Sequence, residues 1–105
     1  MADTDTLLAQ MRLRAASLRM LGYRVRLDLT DSGDSIILDA AGGPCEVRMG
    51  QGEEEADTAL SLSSDDLARL LAGRLSPMLA FATGKLRVEG SKGVAMKLAS
   101  LLDED

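Results

Sequence analysis

The side chains of this sequence that could perform chemistry are two groups of carboxylates and one thiol. Glu53, Glu54 and Glu55 are consecutive, Asp65 and Asp66 are adjacent, and the single cysteine stands in a chain of 105 residues with no histidine. Neighbouring carboxylates could bind a divalent cation or transfer protons. The sequence offers them no nucleophile–base pair and no phosphate-cradling loop, and without histidine the commonest general base and metal ligand is missing.

Each of these groups also has a structural interpretation. Asp65 and Asp66 match the first turn of a helix, where a negative charge interacts favourably with the helix dipole. The glutamates at 53–55 are typical of a solvated loop, and Cys45 is typical of a small buried residue on a strand. One cysteine excludes an internal disulfide and a multi-cysteine metal site. We therefore expect no catalytic residue, no metal, no cofactor and no enzyme activity.

Composition narrows the class of protein further. The net charge of −5 and the 2% aromatic content argue against nucleic-acid binding. No signal-peptide pattern or apolar run of membrane-spanning length is present, and the cysteine usage is compatible with a reducing cytoplasm. We expect a cytoplasmic, stand-alone single domain over residues 1–105, with flexible ends at 1–4 and 103–105.

The first half of the chain predicts one helix followed by strands. Asp5 or Thr6 can cap a helix that runs to about Leu21, and Gly22 supplies its stop. Alternating apolar and polar residues and the turns between them then predict four strands, at 23–30, 35–40, 45–49 and 57–62. The first two read as a hairpin, and the whole sheet reads as a meander-like antiparallel arrangement.

The second half is mainly helical. Ser63, followed three residues later by Asp66, is typical of a helix start, and an apolar period predicts a helix to about Gly73. The remaining pattern predicts a short helix at 77–83, a strand at 85–89, and a helix capped by Ser91 that ends near 102. The order of elements predicts an α+β domain.

The segment from Gly73 to Leu98, GRLSPMLAFATGKLRVEGSKGVAMKL, resembles the sterol carrier protein 2 (SCP-2) family of lipid-binding domains. The close match covers about Asp57 to Leu102. It implies a five-stranded, mainly antiparallel sheet covered by helices around an apolar cavity, and carriage of a lipid without chemical change. The chain departs from the family pattern at Ala99, where animal members usually have Gln, and at Ser91, which replaces a frequent Asn.

The implied cavity gives the helix faces a candidate role in binding. Phe81 is predicted to point inside, and Met96 is either a partly exposed methionine or a pliable gate at the cavity mouth. The candidate ligand-binding residues are Leu71, Leu75, Met78, Phe81, Leu86, Val94, Met96, Leu98, Leu101 and Leu102.

The first helix carries two apolar stripes separated by arginines. One stripe, which must pack on the sheet, contains Leu7, Leu8, Met11, Ala15 and Leu18. The second contains Ala9, Leu13, Ala16 and Met20, and it either packs at an edge or forms a membrane-surface, dimer or protein-docking patch. Residues 6–27 hold five arginines and no acid, whereas 28–66 hold eleven acids and one arginine. This dipolar distribution would allow Arg12, Arg14 and Arg19 to contact an anionic bilayer.

These observations favour a non-catalytic carrier of a hydrophobic ligand, such as a fatty acid, a fatty acyl-CoA, a sterol-like molecule or another lipid. Two alternatives stay open. Small bacterial proteins similar to the family act as accessory proteins that present a polyprenyl, ubiquinone-type intermediate to biosynthetic enzymes. A structural domain whose cavity has closed is the other alternative.

Overall fold

The computed structural model describes residues 3–42, 44–50 and 54–103 and has the predicted α+β architecture. The helices are α1 (Thr4–Leu13), α2 (Ala15–Leu18), a 3₁₀ turn (Arg19–Leu21), α3 (Ser64–Leu71), α4 (Pro77–Ala82) and α5 (Lys92–Asp103). The strands are β1 (Arg24–Leu29), β2 (Ser35–Asp39), β3 (Glu46–Met49), β4 (Thr58–Leu62) and β5 (Arg87–Gly90). Each predicted helix and strand is present, with ends shifted by a few residues. Within the described ranges, no helix combines the length and apolar character that crossing a membrane requires.

The five strands form one mixed sheet in the order β3-β2-β1-β4-β5. Three of the four pairings are antiparallel, as predicted, but β4 runs parallel to β1, so the meander is wrong at this strand. Glu54, which precedes β4, lies against the outer face of the sheet. Arg26 of β1 donates to the carbonyl of Glu54 at 2.9 Å, and Arg48 of β3 pairs with the Glu54 carboxylate at 2.8 Å. The chain then enters β4 on the side of β1 opposite to β2.

The two faces of the sheet differ in polarity because side chains alternate along each strand. Val25, Leu27 and Leu29 of β1 are buried under the helices. The outer face carries ion pairs, which include Arg24–Asp39 at 2.8 Å and Arg26–Asp28 at 3.0 Å. Arginines from the basic segment thus meet acids from the acidic one, which reduces the charge separation seen in the sequence.

The first helix begins earlier than predicted and is not continuous. Asp3, rather than Asp5 or Thr6, caps it, because its carboxylate accepts the Thr6 N–H at 2.7 Å. That hydrogen bond lowers the pKa of Asp3. The helix breaks at Arg14, whose guanidinium donates to the carbonyl of Leu71, at 2.6 Å, and to that of Leu102. These are C-terminal carbonyls of α3 and α5, so Arg14 ties three helices together.

The two stripes of the first helix have different surroundings. Leu7, Met11 and Leu18 are fully buried against the sheet and helices, as predicted for the first stripe. In the second stripe, Leu13 is 87% exposed and Met20 is 69% exposed. Edge packing of this stripe is therefore wrong: the stripe faces away from the sheet, and no described element covers it.

The predicted caps of the later helices are confirmed. Ser63 accepts the Asp66 N–H at 3.1 Å at the start of α3, and Ser91 accepts the Val94 N–H at 3.3 Å at the start of α5. The buried side of α5 contains Val94, Leu98 and Leu102. Of the predicted flexible ends, residues 1, 2, 104 and 105 lie outside the described residues, as does Glu53 of the acidic loop.

The inward position predicted for Phe81 is wrong, because its side chain is 47% exposed. Helix α4 has only about two turns, and its buried positions are Pro77 and Ala80, three residues apart. Phe81 lies one position further around the helix. It therefore borders the space beside α4 rather than the core.

Candidate functional site

An apolar cleft lies between α4, β5 and α5, and we name it the α4–α5 cleft. Its volume is about 170 Å³. Nine residues line it, of which all but the lysine are apolar: Pro77, Met78, Phe81, Leu86, Val88, Lys92, Ala95, Met96 and Ala99. A concave surface of this composition is suited to an apolar ligand, because binding there removes apolar surface of the ligand from water. The lining has few polar groups that could bind a polar ligand.

Helix α4 forms one wall of the cleft. Its N-cap Ser76 accepts the Leu79 N–H at 3.5 Å, and Pro77 occupies the first helical position, where its missing N–H costs no hydrogen bond. Burial of Ala80 fixes the rotation of the helix. Met78 and Phe81 consequently stand at the cleft, with about half of each side chain exposed.

The other wall begins at a tight corner between β5 and α5. Gly90 has φ of 94°, and a Cβ there would lie 2.9 Å from the carbonyl oxygen of Asp57. A larger residue would push the corner away from β4, so glycine is required. Beyond the corner, Ala95 and Ala99 lie one turn apart on α5, and their small side chains leave the space that the cleft occupies.

A second cleft adjoins the first. It measures about 240 Å³ and shares Pro77, Met78, Met96 and Ala99 with the α4–α5 cleft. Ser76 and Ser100 complete its lining. The two methionines belong to both clefts and so stand between them. Methionine has an unbranched, flexible side chain, and rotation of Met78 and Met96 would connect the two spaces.

A larger and more open groove lies on another side of the helices. Its volume is about 690 Å³, and its lining mixes polar and apolar side chains: Gln10, Leu13, Arg14, Ser17, Ala68, Leu71, Ala72 and Leu101. The guanidinium of Arg14 already donates to the carbonyls of Leu71 and Leu102. The groove therefore resembles a solvent-accessible surface depression more than an apolar binding site.

The structure distributes the ten sequence-predicted site residues over three environments. Four line the α4–α5 cleft: Met78, Phe81, Leu86 and Met96. Two line the open groove: Leu71 and Leu101. The other four are buried in the core: Leu75, Val94, Leu98 and Leu102.

Five cleft residues escaped the sequence-based selection: Pro77, Val88, Lys92, Ala95 and Ala99. A signal for three of them was present in the helical periodicity. Met96 falls beside Lys92 on the polar side of the last helix, while Ala95 and Ala99 edge its apolar side. Small residues next to an exposed methionine fit a helix side that borders a cleft, as Ala95, Ala99 and Met96 do here.

The titratable groups elsewhere have structural roles. Ser64 donates both its N–H, at 2.9 Å, and its hydroxyl to the Asp31 carboxylate, and these hydrogen bonds lower the pKa of Asp31. Asp66 pairs with Arg69 at 3.6 Å. Burial raises the pKa of the Cys45 thiol, with a smaller contribution from Asp39, which disfavours a reactive thiolate.

In the described ranges, no group of three Cys, Asp or Glu side chains is placed so that it could hold a metal ion.

Comparison with known proteins places these features in a family. The model of the SCP-2 sterol transfer family matches residues 4–103. The chain belongs to this family. The match includes every helix and strand described above, so the SCP-2 domain, a lipid-binding fold, accounts for the whole architecture.

One curated relative is hydroxysteroid dehydrogenase-like protein 2 of Bos taurus. It is 32% identical over 83 residues, which are 78% of this chain, and the SCP-2 domain described here spans only 19% of that protein's length.

Two solved structures share the fold. Sterol carrier protein 2 of Yarrowia lipolytica, in its apo form, has a TM-score of 0.68 and 27% identity, covering 90% of this chain and 77% of that one. The UbiJ-SCP2 ubiquinone synthesis protein has a TM-score of 0.65 and 24% identity, covering 88% of this chain and 78% of that one.

Proposed function

We propose that this SCP-2 domain binds and carries a single-chain lipid in the α4–α5 cleft. The observation that carries the proposal is the cleft itself, an apolar concavity bounded by two exposed methionines and a phenylalanine. Exposed apolar side chains that adjoin one another around a concavity are typical of a ligand-binding groove. Membership of the SCP-2 family supports a lipid as the covering molecule.

The dimensions of the site favour a slender ligand. Ligand pockets usually measure about 300–1,000 Å³, whereas the α4–α5 cleft measures about 170 Å³ and its neighbour about 240 Å³. Movement of Met78 and Met96 would give an acyl chain access to both. Each buried methylene then contributes about 0.8 kcal/mol to binding, so the chain length of the ligand sets most of the affinity. Fatty acids and fatty acyl esters fit this shape better than a rigid sterol.

We infer that the domain releases its ligand without chemical change. Lys92 is the one titratable side chain lining the α4–α5 cleft, and a nucleophile with an adjacent base is not part of that lining. The dehydrogenase-like name of the bovine relative belongs to a protein about five times longer than the matched region. It gives no reason to assign a redox reaction to this domain.

The carrier proposal is tested by lipid extraction and native mass spectrometry of the purified protein, followed by thermal unfolding with added dodecanoate. We expect a bound lipid at one per chain. At a dodecanoate concentration a hundred times the dissociation constant, the folded state gains about 2.7 kcal/mol. Absence of both a bound lipid and a thermal shift would favour the alternative of a structural domain with a closed cavity.

We also propose a surface for ligand delivery, named here the α1–α2 face and consisting of Leu13, Met20 and Arg19. The two apolar side chains are well exposed, and within the described residues Arg19 forms no ion pair or hydrogen bond. An apolar surface with adjacent arginine is complementary to an anionic bilayer. In contrast, the guanidinium groups of Arg12 and Arg14 donate to backbone carbonyls, so they are less available for a membrane.

A second candidate is an accessory role in which the α1–α2 face binds enzymes instead of a bilayer. The UbiJ-SCP2 ubiquinone synthesis protein shares the fold, and in this role the presented ligand would be the polyprenyl intermediate that the sequence resemblance implies. Co-purification with a defined set of enzymes, lost on substitution of Leu13 and Met20, would favour this role. Transfer of ligand between vesicles by the isolated protein would favour the carrier.

A further inference from the structure

The lining of the α4–α5 cleft contains one charge. Lys92 is the first residue of α5, it is exposed, and it is the single polar residue among the nine that line the cleft. Within the described residues, its ammonium group forms no ion pair or hydrogen bond. A lysine can lay its methylene stem along an apolar wall and keep its ammonium in water at the rim. Lys92 therefore places an uncompensated positive charge at the mouth of an apolar hollow.

The segment that builds the cleft has an excess of positive charge. Residues 74–102, which build the cleft, hold five basic residues and one acid, although the whole chain has a net charge of −5. That acid, Glu89, lines a different depression on the outer face of the sheet together with Arg26 and Glu54. Lys97, on the same helix, lies with its ammonium 5.5 Å from the centroid of the Tyr23 ring and so has a partner.

The position of Lys92 is set by the fold. The corner at Gly90 is held against the backbone of Asp57 and Thr58, and Ser91 caps the helix that follows. The start of α5 is thereby fixed at one end of the cleft. A ligand lying along the wall formed by Ala95 and Ala99 would bring one of its ends beside Lys92.

We propose that Lys92 pairs with the anionic head group of a single-chain amphiphile whose tail occupies the α4–α5 cleft. The inference rests on the proposed carrier function and specifies its ligand class. The domain should prefer an anionic amphiphile to a neutral one of equal chain length. Because the ammonium is a compact point charge, its contribution depends on the charge of the head group and decreases with salt.

The experiment compares dodecanoate with 1-dodecanol, which share a chain and differ in charge, by titration calorimetry at pH 8. We expect the wild-type protein to bind dodecanoate more tightly. An exposed ion pair of this kind changes affinity by roughly two- to fivefold. Lys92→Met should remove that preference, so that the ratio of the dodecanoate and dodecanol affinities falls toward one, and Lys92→Glu should reverse it. At 1 M salt the wild-type preference should be lost.

Lys97→Met is the matched control, because it removes the same charge from the same helix at a side chain that contacts Tyr23 instead of the cleft. Thermal unfolding of all variants verifies that they are folded. Equal affinities of the wild type for the two ligands, or equal effects of the Lys92 and Lys97 substitutions, would overturn the role of Lys92 and leave the carrier function standing. Failure of both ligands to bind would overturn the carrier function and, with it, this inference.

Discussion

Helix α5 has two apolar sides that differ in how completely they are covered. On the core side, Val94, Leu98 and Leu102 are buried in the main cluster between helices and sheet. On the cleft side, Ala95 also belongs to that cluster, but Ala99 is only partly buried and Met96 is 50% exposed. Both sides are apolar, so hydrophobicity does not distinguish them.

Side-chain size makes the difference. Branched residues on the core side fill the interior to the density expected of a folded protein. Alanines on the cleft side leave a gap next to α4, and flexible methionines border it instead of filling it. Helix α5 thus stabilises the fold through its core side and leaves a space that a ligand could occupy on its cleft side.

The largest expected effect tests the core side. Leu98→Ala should destabilise the protein by about 2–5 kcal/mol, because it leaves a cavity in the buried cluster. Met96→Ala on the cleft side should cost less than about 1 kcal/mol, since half of that side chain is already in water. Urea unfolding of the two variants measures both values. Equal losses would mean that the cleft side is packed like the core.

The next effect tests the cleft side. Ala99→Leu should fill part of the space shared by the two clefts and exclude about two methylenes of ligand, which lowers affinity for dodecanoate about tenfold. Stability should be unchanged or slightly higher. Calorimetric titration measures the affinity, and Ala82→Leu, at an exposed position of α4 that lines neither cleft, is the control. If Ala99→Leu binds dodecanoate with unchanged affinity, the ligand binds outside the two clefts.

A smaller effect concerns the α1–α2 face, whose apolar side chains Leu13 and Met20 are more exposed than those of the cleft. Arg19→Gln should weaken binding to anionic vesicles about fivefold, corresponding to about 1 kcal/mol for one arginine near a charged surface, and Leu13→Ser with Met20→Ser should weaken it further. Met49→Ser, at an exposed methionine of β3, is the control. Co-sedimentation with vesicles of increasing anionic content measures this. If vesicle binding is the same in all these variants and does not depend on the anionic lipid content, the membrane role is ruled out.

The smallest effect concerns a polar contact far from both sides of α5. The Asp31 carboxylate accepts two hydrogen bonds from Ser64, and its pKa in the folded protein is lowered below the ordinary 3.8. Its stabilising contribution is therefore present at neutral pH and is lost as pH falls below that value toward the lowered pKa. We expect Asp31→Asn to be less stable than the wild type at pH 7, with a difference that narrows at pH 3.

Urea midpoints at the two pH values measure the effect of Asp31, and Asp5→Asn, at an exposed carboxylate, is the control. A difference that stays constant between pH 7 and pH 3 would show that the hydrogen bonds, and not the charge of Asp31, stabilise this contact.

The helices, strands and caps could be predicted from the amino-acid sequence. Gly22 ends the first helical region with φ of 74°, Ser63 and Ser91 cap α3 and α5, and the alternation in β1 buries Val25, Leu27 and Leu29. These features depend on contacts within a few residues, which a local pattern records. The resemblance of the segment from Gly73 to Leu98 to the SCP-2 family then predicted the fold.

The way in which the helices and strands pack against one another depends on residues that are distant in the sequence. The parallel pairing joins β4 to β1, although β2 and β3 lie between them in the sequence, and arginines of β1 and β3 contact Glu54 just before β4. The rotation of α4 depends on Ala80 and turns Phe81 toward the cleft. The division of α5 depends on which side chains of α4 and β5 stand opposite Ala95 and Ala99. Helical periodicity predicts which residues share a face of a helix. The space in front of that face is determined by residues that are distant in the sequence. In this protein that space is the candidate site.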